Sequence, residues 1–191
     1  MESDLIISKD KIRSGIILCV TESLMLMREV LDLMKTSYSS NHLLGLYAFA
    51  IEEYGKLLIL EDCLNQQNDP CKVPKYLFSG RDAHNKKFSK ALDNLPDVCK
   101  RIPIEEEEFI NYKAIFRDDH TIESIPHGFT IRSMYNFIDF QIRMGCFYLD
   151  WDYEKSNWKR FPVVDDMDLE VAIKKFHEIL LKKFETYSID N

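Results

Sequence analysis

One long apolar segment, residues 41–64, constrains the fold more than any other part of the chain. Its sequence, NHLLGLYAFAIEEYGKLLILEDCL, is long enough for a helix of several turns. Residues at spacings of three and four form one face of that helix, and Glu53 lies within this face. The members of the face are Leu46, Ala50, Glu53, Leu57, Leu60 and Leu64. Because an isolated carboxylate in an apolar core is costly, we expect Glu53 to be paired with a cation, hydrogen-bonded or protonated.

Five further segments are expected to be helical, because their apolar residues recur at helical spacing or because acidic residues open them. They are residues 9–35, 81–94, 104–116, 130–150 and 168–187. The connection between the first helix and the segment 41–64 is short, so these two helices should be antiparallel neighbours, as in an up-down bundle. The sequence therefore predicts an all-α fold. We expect the chain to form a single domain, residues 1–191, in which short helices and a C-terminal helix are added to the bundle.

The shorter predicted helices also have faces that should point toward the core. On the third helix this face contains Phe88, Ala91 and Leu95, and His84 leans toward the same side. On the C-terminal helix it contains Leu169, Ala172, Phe176, Ile179, Leu180 and Phe184. Residues 130–150 are apolar on most sides, which is typical of a central helix or of a helix at a subunit interface. We therefore expect a homodimer that buries this helix or the first one.

Charge and composition restrict the binding partners and the cellular compartment that we expect for this protein. The net charge is −7, which disfavours nucleic-acid binding over the whole surface but leaves room for a local basic patch. The N-terminus, MESDLIISKD, lacks the features of a secretory signal, and no apolar run reaches the roughly 18 residues of a membrane span. The five cysteines are scattered and form no Cys-x-x-Cys pair, so they are expected to be reduced thiols. We therefore expect a cytoplasmic protein with no membrane partner.

The sequence predicts neither a metal site nor a cofactor. Residues 117–127 contain Asp118, Asp119, His120 and His127, but their spacing matches no metal-binding signature. A di-iron site of the ferritin type requires Glu-x-x-His on two helices, and that pattern does not occur in the chain. P-loops, GxGxxG loops and the motifs of serine or cysteine nucleophiles are also absent.

Polar residues on the predicted helix faces are candidates for function. Glu53 lies on an apolar face, but it can equally serve only to pair with a lysine or arginine of a neighbouring helix. His84 has Lys87 about one turn along the same helix, yet a hydrogen-bonded histidine at the edge of the core is the more common situation. Asp139 and Arg143 form an ordinary i,i+4 pair. The residues by themselves leave a structural role and a catalytic role open.

Three short segments together resemble the AbiV-type abortive-infection proteins. They are Ala50-Ile51-Glu52-Glu53-Tyr54-Gly55-Lys56, His84-Asn85-Lys86-Lys87 and Arg143-Met144-Gly145-Cys146-Phe147-Tyr148-Leu149-Asp150, with Trp158 and Pro162 beyond them. The family shows an EE-x-GK helix, an H-x-x-K helix, and an arginine followed by a Tyr-x-Asp segment. The resemblance extends from the first helix to about residue 164. It rests on the order and spacing of the motifs rather than on any single one.

The resemblance implies a HEPN-like up-down antiparallel helical bundle and a set of site residues. Those that it implies for catalysis are His84, Glu53 and Arg143, and those that it implies for substrate binding are Lys56, Lys87, Tyr148 and Asp150. We expect the Glu53 carboxylate to find its partner among His84 and the cations of this set on facing helices. An imidazole held in such a cluster can exchange protons with an RNA 2′-hydroxyl, with Arg143 or Lys87 steadying the phosphate.

The function that the resemblance implies is antiphage defence. Many HEPN proteins are metal-independent ribonucleases with an Arg-x(4–6)-His motif at a dimer interface. Here Arg81 and Arg117 stand only three residues before a histidine, so that motif is absent. One hypothesis is an abortive-infection protein that arrests growth or translation, with RNA as its partner and a phage or host protein as its trigger. The other is a non-catalytic protein-interaction module in which residues 130–150 dock a partner and the polar cluster only holds the fold.

Overall fold

Four helices dominate the part of the chain that the structure describes. The computed structural model describes residues 4–36, 40–78, 83–100, 150–152, 157–159 and 166–188. Its helices are α1 (Lys9–Leu33), α2 (Ser40–Leu64), α3 (Ala83–Asn94) and α4 (Asp166–Ser188), with 3₁₀ turns at Lys75–Leu77 and Asp97–Cys99. Most of these residues are helical, which confirms the predicted all-α character. No helix among them combines the length and the apolarity needed to cross a membrane.

Two predicted helices fall largely outside these ranges. Residues 104–116 and 130–149 are not among the described residues. Asp150, which the sequence places at the end of the second of these helices, is the first residue of a strand instead. The prediction that the helix reaches Asp150 is wrong, because this residue pairs with Lys159 across a two-stranded sheet.

The α1–α2 hairpin forms the centre of the core. The buried residues of α1 extend from Ile12 to Val30. α2 is buried on nearly its whole circumference along its middle turns, because α1 packs on one side and α3 on another. The buried hydroxyl of Ser23 on α1 donates a hydrogen bond of 3.1 Å to the backbone carbonyl of Ala50 on α2. This bond satisfies a polar atom inside the core and joins the two helices.

Within the described ranges, two small antiparallel sheets accompany the helices. β1 (Leu5–Ile7) precedes α1 and pairs with β2 (Cys71–Val73), which follows α2, so this sheet closes the open end of the helical hairpin. β3 (Asp150–Asp152) pairs with β4 (Asn157–Lys159). Neither pair was predicted from the sequence. Each strand has three residues, too few to show an alternating pattern of their own.

The side chain of Gln66 covers the outer edge of β2. Its amide nitrogen donates a hydrogen bond of 2.9 Å to the carbonyl of Lys72, and its amide oxygen accepts one of 3.0 Å from the Lys72 backbone N–H. The side-chain amide therefore makes the pair of bonds that a neighbouring antiparallel strand makes. On the other strand of the sheet, Leu5 and Ile6 are exposed.

The first half of α4 packs against α1 and α2 through an apolar face. Phe176 lies at the centre of this contact and meets the rings of Tyr47 and Tyr54 edge to face, with centroids 5.7 and 5.5 Å away. This geometry is the favourable one for aromatic pairs. The predicted inward face is confirmed for Leu169, Ala172, Phe176 and Leu180, all of which are buried.

The end of α4 is held by polar contacts instead. Lys183 Nζ lies 2.6 Å from Oε1 of Glu61 on α2, and the Tyr187 hydroxyl donates to the same oxygen. Burial, together with the Glu61 carboxylate, raises the pKa of Tyr187. Phe184, which was predicted to face the core, is exposed. That prediction is wrong because Lys183 and Tyr187 turn the polar side of this last segment toward α2.

Candidate acid–base site

A buried polar centre lies where α3 crosses α2. The Glu52 side chain on α2 is only 5% exposed. Its Oε1 contacts two side chains of α3, His84 through Nδ1 (2.5 Å) and Lys87 through Nζ (2.6 Å). His84 and Lys87 are three residues apart, so they project from the same face of their helix. We call these three residues the Glu52–His84–Lys87 cluster.

Glu53, the residue predicted to make these contacts, has different partners. Its carboxylate lies 3.1 Å from Lys56 Nζ, one turn along the same helix, and the two side chains are 24% and 27% exposed. It also interacts with the thiol of Cys19 on α1. The prediction that Glu53 pairs with a residue of α3 is therefore wrong. Consecutive residues of a helix point about 100° apart, and it is Glu52 that points toward α3.

The Cys19 thiol is a buried neighbour of this region rather than a nucleophile. Burial raises its pKa to about 12, although the charge of Lys56 acts in the opposite direction. The reactive thiolate is therefore scarce at neutral pH. The sequence has no signal that connects Cys19 to Glu53, because the two residues meet only when the helices pack.

The Glu52 carboxylate is ionised at neutral pH despite its burial. Burial by itself raises its pKa, but the hydrogen bonds and charges of Lys87 and His84 outweigh this effect and hold the pKa of Glu52 below its ordinary value of 4.5. The buried Glu52 and Lys87 thus compensate each other. Removing either partner leaves an uncompensated charge in the interior, which is far more costly than the absence of both.

The lowered pKa of Glu52 predicts a specific pH dependence of stability. The pKa of Glu52 is lower in the folded chain than in the unfolded chain. The ionised carboxylate therefore stabilises the fold fully when the pH is above the pKa of the unfolded chain, and this stabilisation is lost as the pH falls through the pKa of the folded chain. At pH 7, Glu52→Gln should be less stable than the wild type by about 3 kcal/mol. This difference should shrink steadily at pH values below 4.5, since protonated Glu52 is as uncharged as glutamine. Urea denaturation of both proteins from pH 7 to about pH 3 measures it, and a constant difference would contradict the role given to Glu52.

His84 is the member of the cluster that reaches solvent. Its side chain is 45% exposed, whereas Glu52 and Lys87 are buried. Because Nδ1 faces the Glu52 carboxylate, the neutral ring carries its proton on Nδ1 and presents Nε2 as a proton acceptor. A carboxylate that fixes the tautomer of an imidazole and stabilises the imidazolium is an arrangement used in general base catalysis.

Gly55 allows α3 to come close enough for these contacts. A Cβ atom added at this position would lie 1.8 Å from the backbone carbonyl oxygen of Lys87 and 3.2 Å from the Cβ of Ala91. The first distance is far below any van der Waals contact. The glycine of the EE-x-GK segment therefore sets the helix separation at which Lys87 meets Glu52.

The structure describes only some of the remaining predicted site residues. Arg143 and Tyr148 lie outside the described residues, and Asp150 is the first residue of β3. Lys87 is buried against Glu52 rather than open to a substrate, and this suits a role in positioning. Sequence reasoning missed Glu52 and Gly55 as site residues. Both residues belong to the EE-x-GK segment. Because Glu53 lies on the apolar face of this segment, Glu53 was predicted instead of Glu52.

Within the described ranges, no three His, Cys, Asp or Glu side chains are grouped as they would be to hold a metal ion. Four of the cysteines, Cys19, Cys63, Cys71 and Cys99, are free and buried. Comparing the chain with protein-family models, with curated proteins and with solved structures produced no match.

Proposed function

We propose that the chain is an abortive-infection protein with a HEPN-like bundle, which acts in the cytoplasm and arrests growth or translation by cleaving RNA. The observation that carries this proposal is the contact between two of the segments that resemble the AbiV-type family. Glu52 of the EE-x-GK segment meets His84 and Lys87 of the H-x-x-K segment in one cluster. A half-exposed imidazole held by a buried carboxylate is suited to removing a proton from a hydroxyl group.

In the proposed reaction, Nε2 of His84 takes the proton of an RNA 2′-hydroxyl. The 2′-oxygen attacks the adjacent phosphorus, and the bond from phosphorus to the 5′-oxygen breaks. The imidazolium returns the proton to the departing 5′-oxygen, so the products are a 2′,3′-cyclic phosphate and a 5′-hydroxyl. Glu52 stabilises the imidazolium, and Lys87 keeps Glu52 ionised. Lys56 is partly exposed and interacts electrostatically with Glu52. It supplies positive charge beside the cluster.

His84→Ala is expected to lower the rate of RNA cleavage by about 100-fold or more, because it removes the general base. The melting temperature should change little, since the ring is 45% exposed. Purified wild type and variant are incubated with total RNA, with and without a chelator, and the product ends are identified by mass spectrometry. His177→Ala on α4, outside the cluster, is the matched control and should cleave like the wild type. A wild type that leaves RNA intact, or a His84→Ala protein with full activity, would overturn the proposal.

A non-catalytic interaction module is the second candidate function. A buried Glu52–Lys87 pair also suits a purely structural cluster. Leu18 and Met25 are exposed seven residues apart on one side of α1, where a partner protein can pack. Toxicity in cells separates the two functions. Folded His84→Ala is harmless in the catalytic case and still toxic in the interaction case, where the double change of Leu18→Glu with Met25→Glu abolishes toxicity.

A further inference from the structure

A groove separate from the Glu52–His84–Lys87 cluster runs between α3, the end of α2 and the β1–β2 sheet. Its volume is about 840 Å³, within the range of small-molecule sites. The apolar part of its lining comes from Ile59, Cys63, Pro74 and Tyr76. None of the residues that line it belongs to the cluster, so a ligand here occupies its own site.

Among the residues that the structure describes, the charges that line the groove are balanced. Three lysines and three aspartates contribute, namely Lys72, Lys86, Lys90, Asp4, Asp62 and Asp93. A surface that binds only a polyanionic backbone carries an excess of positive charge, and a site for a purely apolar ligand carries few charges. Both kinds of charge around an apolar floor suit a ligand that has an anionic group and also N–H donors on a flat ring.

Tyr76 and Lys86 form the recognition element of this groove. Lys86 Nζ lies 4.1 Å from the centre of the Tyr76 ring. A cation–π contact at an exposed site is weaker than the stacking of a nucleobase on an aromatic ring. A base can therefore replace the ammonium on the ring face, and the released ammonium can meet the phosphate that the base carries.

We propose that the groove binds a nucleotide unit, with its base on Tyr76 and its phosphate at Lys86 and Lys72. Carboxylates accept hydrogen bonds from the N–H groups of base edges, and Asp62 is placed for this role. Its pairing with Lys90 involves a side chain that is 63% exposed, so the pair is readily exchanged for a ligand. A free nucleotide and a nucleotide within an RNA strand share this chemistry. The site goes beyond the proposed cleavage reaction and does not depend on it.

Isothermal titration calorimetry tests the proposal with the four nucleoside 5′-monophosphates in one arm and a four-nucleotide RNA in the other. The RNA arm uses His84→Ala protein, so its result is independent of cleavage. We expect a Kd below about 1 mM for at least one ligand. Lys86→Ala and Tyr76→Leu should each weaken binding by about tenfold or more, whereas Tyr76→Phe keeps the ring and should bind normally. Lys75→Ala removes the same charge from an exposed neighbour that does not line the groove, and it should bind like the parent protein.

The two arms also identify the source of the nucleotide. Binding of monophosphates supports a free nucleotide as the ligand, and binding of the RNA alone supports a nucleotide within a strand. The proposal fails if neither ligand binds, or if Lys86→Ala and Tyr76→Leu bind as well as the parent protein.

Discussion

Gly55→Ala is expected to destabilise the protein by about 3 kcal/mol or more, the upper part of the usual range for overpacking. The added Cβ atom meets the backbone oxygen of Lys87 at 1.8 Å, and a backbone atom has no rotamer that avoids it. α3 must therefore shift against α2, and the Glu52–Lys87 contact opens with it. The higher helix propensity of alanine recovers only about 1 kcal/mol. Chemical denaturation followed by circular dichroism measures the loss.

Gly15→Ala is the matched control for this substitution. Gly15 also lies inside a long helix, α1, but a Cβ there lies 3.2 Å from Cδ1 of Leu60, the end of a flexible side chain. A small rotation of that leucine relieves the contact, and the gain in helix propensity acts in the opposite direction. Gly15→Ala should therefore stay within about 1 kcal/mol of the wild type. Equal stabilities of the two variants would show that α2 and α3 do not cross as closely as described.

Glu52→Ala is expected to cost about 3–5 kcal/mol of folding free energy, because it leaves the buried Lys87 ammonium without its counter-charge. This is a large part of the stability of a typical domain. The sequence predicted Glu53, and not Glu52, as the carboxylate that pairs with a residue of a facing helix. In the structure, the Glu53 carboxylate and its Lys56 partner are each about one quarter exposed, so Glu53→Ala should cost about 1 kcal/mol or less. The two neighbouring alanine variants form a direct comparison by urea denaturation.

A double substitution tests whether the loss at Glu52 comes from the stranded charge. Glu52→Leu combined with Lys87→Met replaces both charges by apolar side chains of similar size. The double variant should recover most of the stability that Glu52→Ala loses, since a well-packed apolar pair is often as stable as a buried ion pair. A double variant no more stable than Glu52→Ala would mean that the pair contributes through something other than charge compensation.

The helices were predictable because their signal is local. α1, α2 and α4 each begin and end within two residues of the limits expected from the apolar spacing. Inward residues such as Phe88 and Ala91 are buried as expected, since a repeat of three and four specifies one face of a helix. The β1–β2 pairing has no such local signal. It exists because the two helices bring three-residue segments from distant parts of the chain together.

The identity of the buried carboxylate could not be predicted from α2 alone. A helix that is apolar on most of its surface supports several stripes, and Glu52 and Glu53 lie on neighbouring ones. The choice is made by the direction from which α3 approaches, and Gly55 determines that approach. The sequence contains this glycine and both glutamates, but the angle between the helices arises only from packing.

The amide of Gln66 also limits how separate molecules can associate through their β1–β2 sheets. Because it occupies the outer edge of β2, a strand from another molecule has to join at β1, where Leu5 and Ile6 are exposed. Molecules that each offer one edge in a given sheet form a closed pair when those edges meet. Open-ended growth into fibres requires two edges per molecule. A single glutamine thus covers one edge of the β1–β2 sheet and disfavours its growth into a fibre.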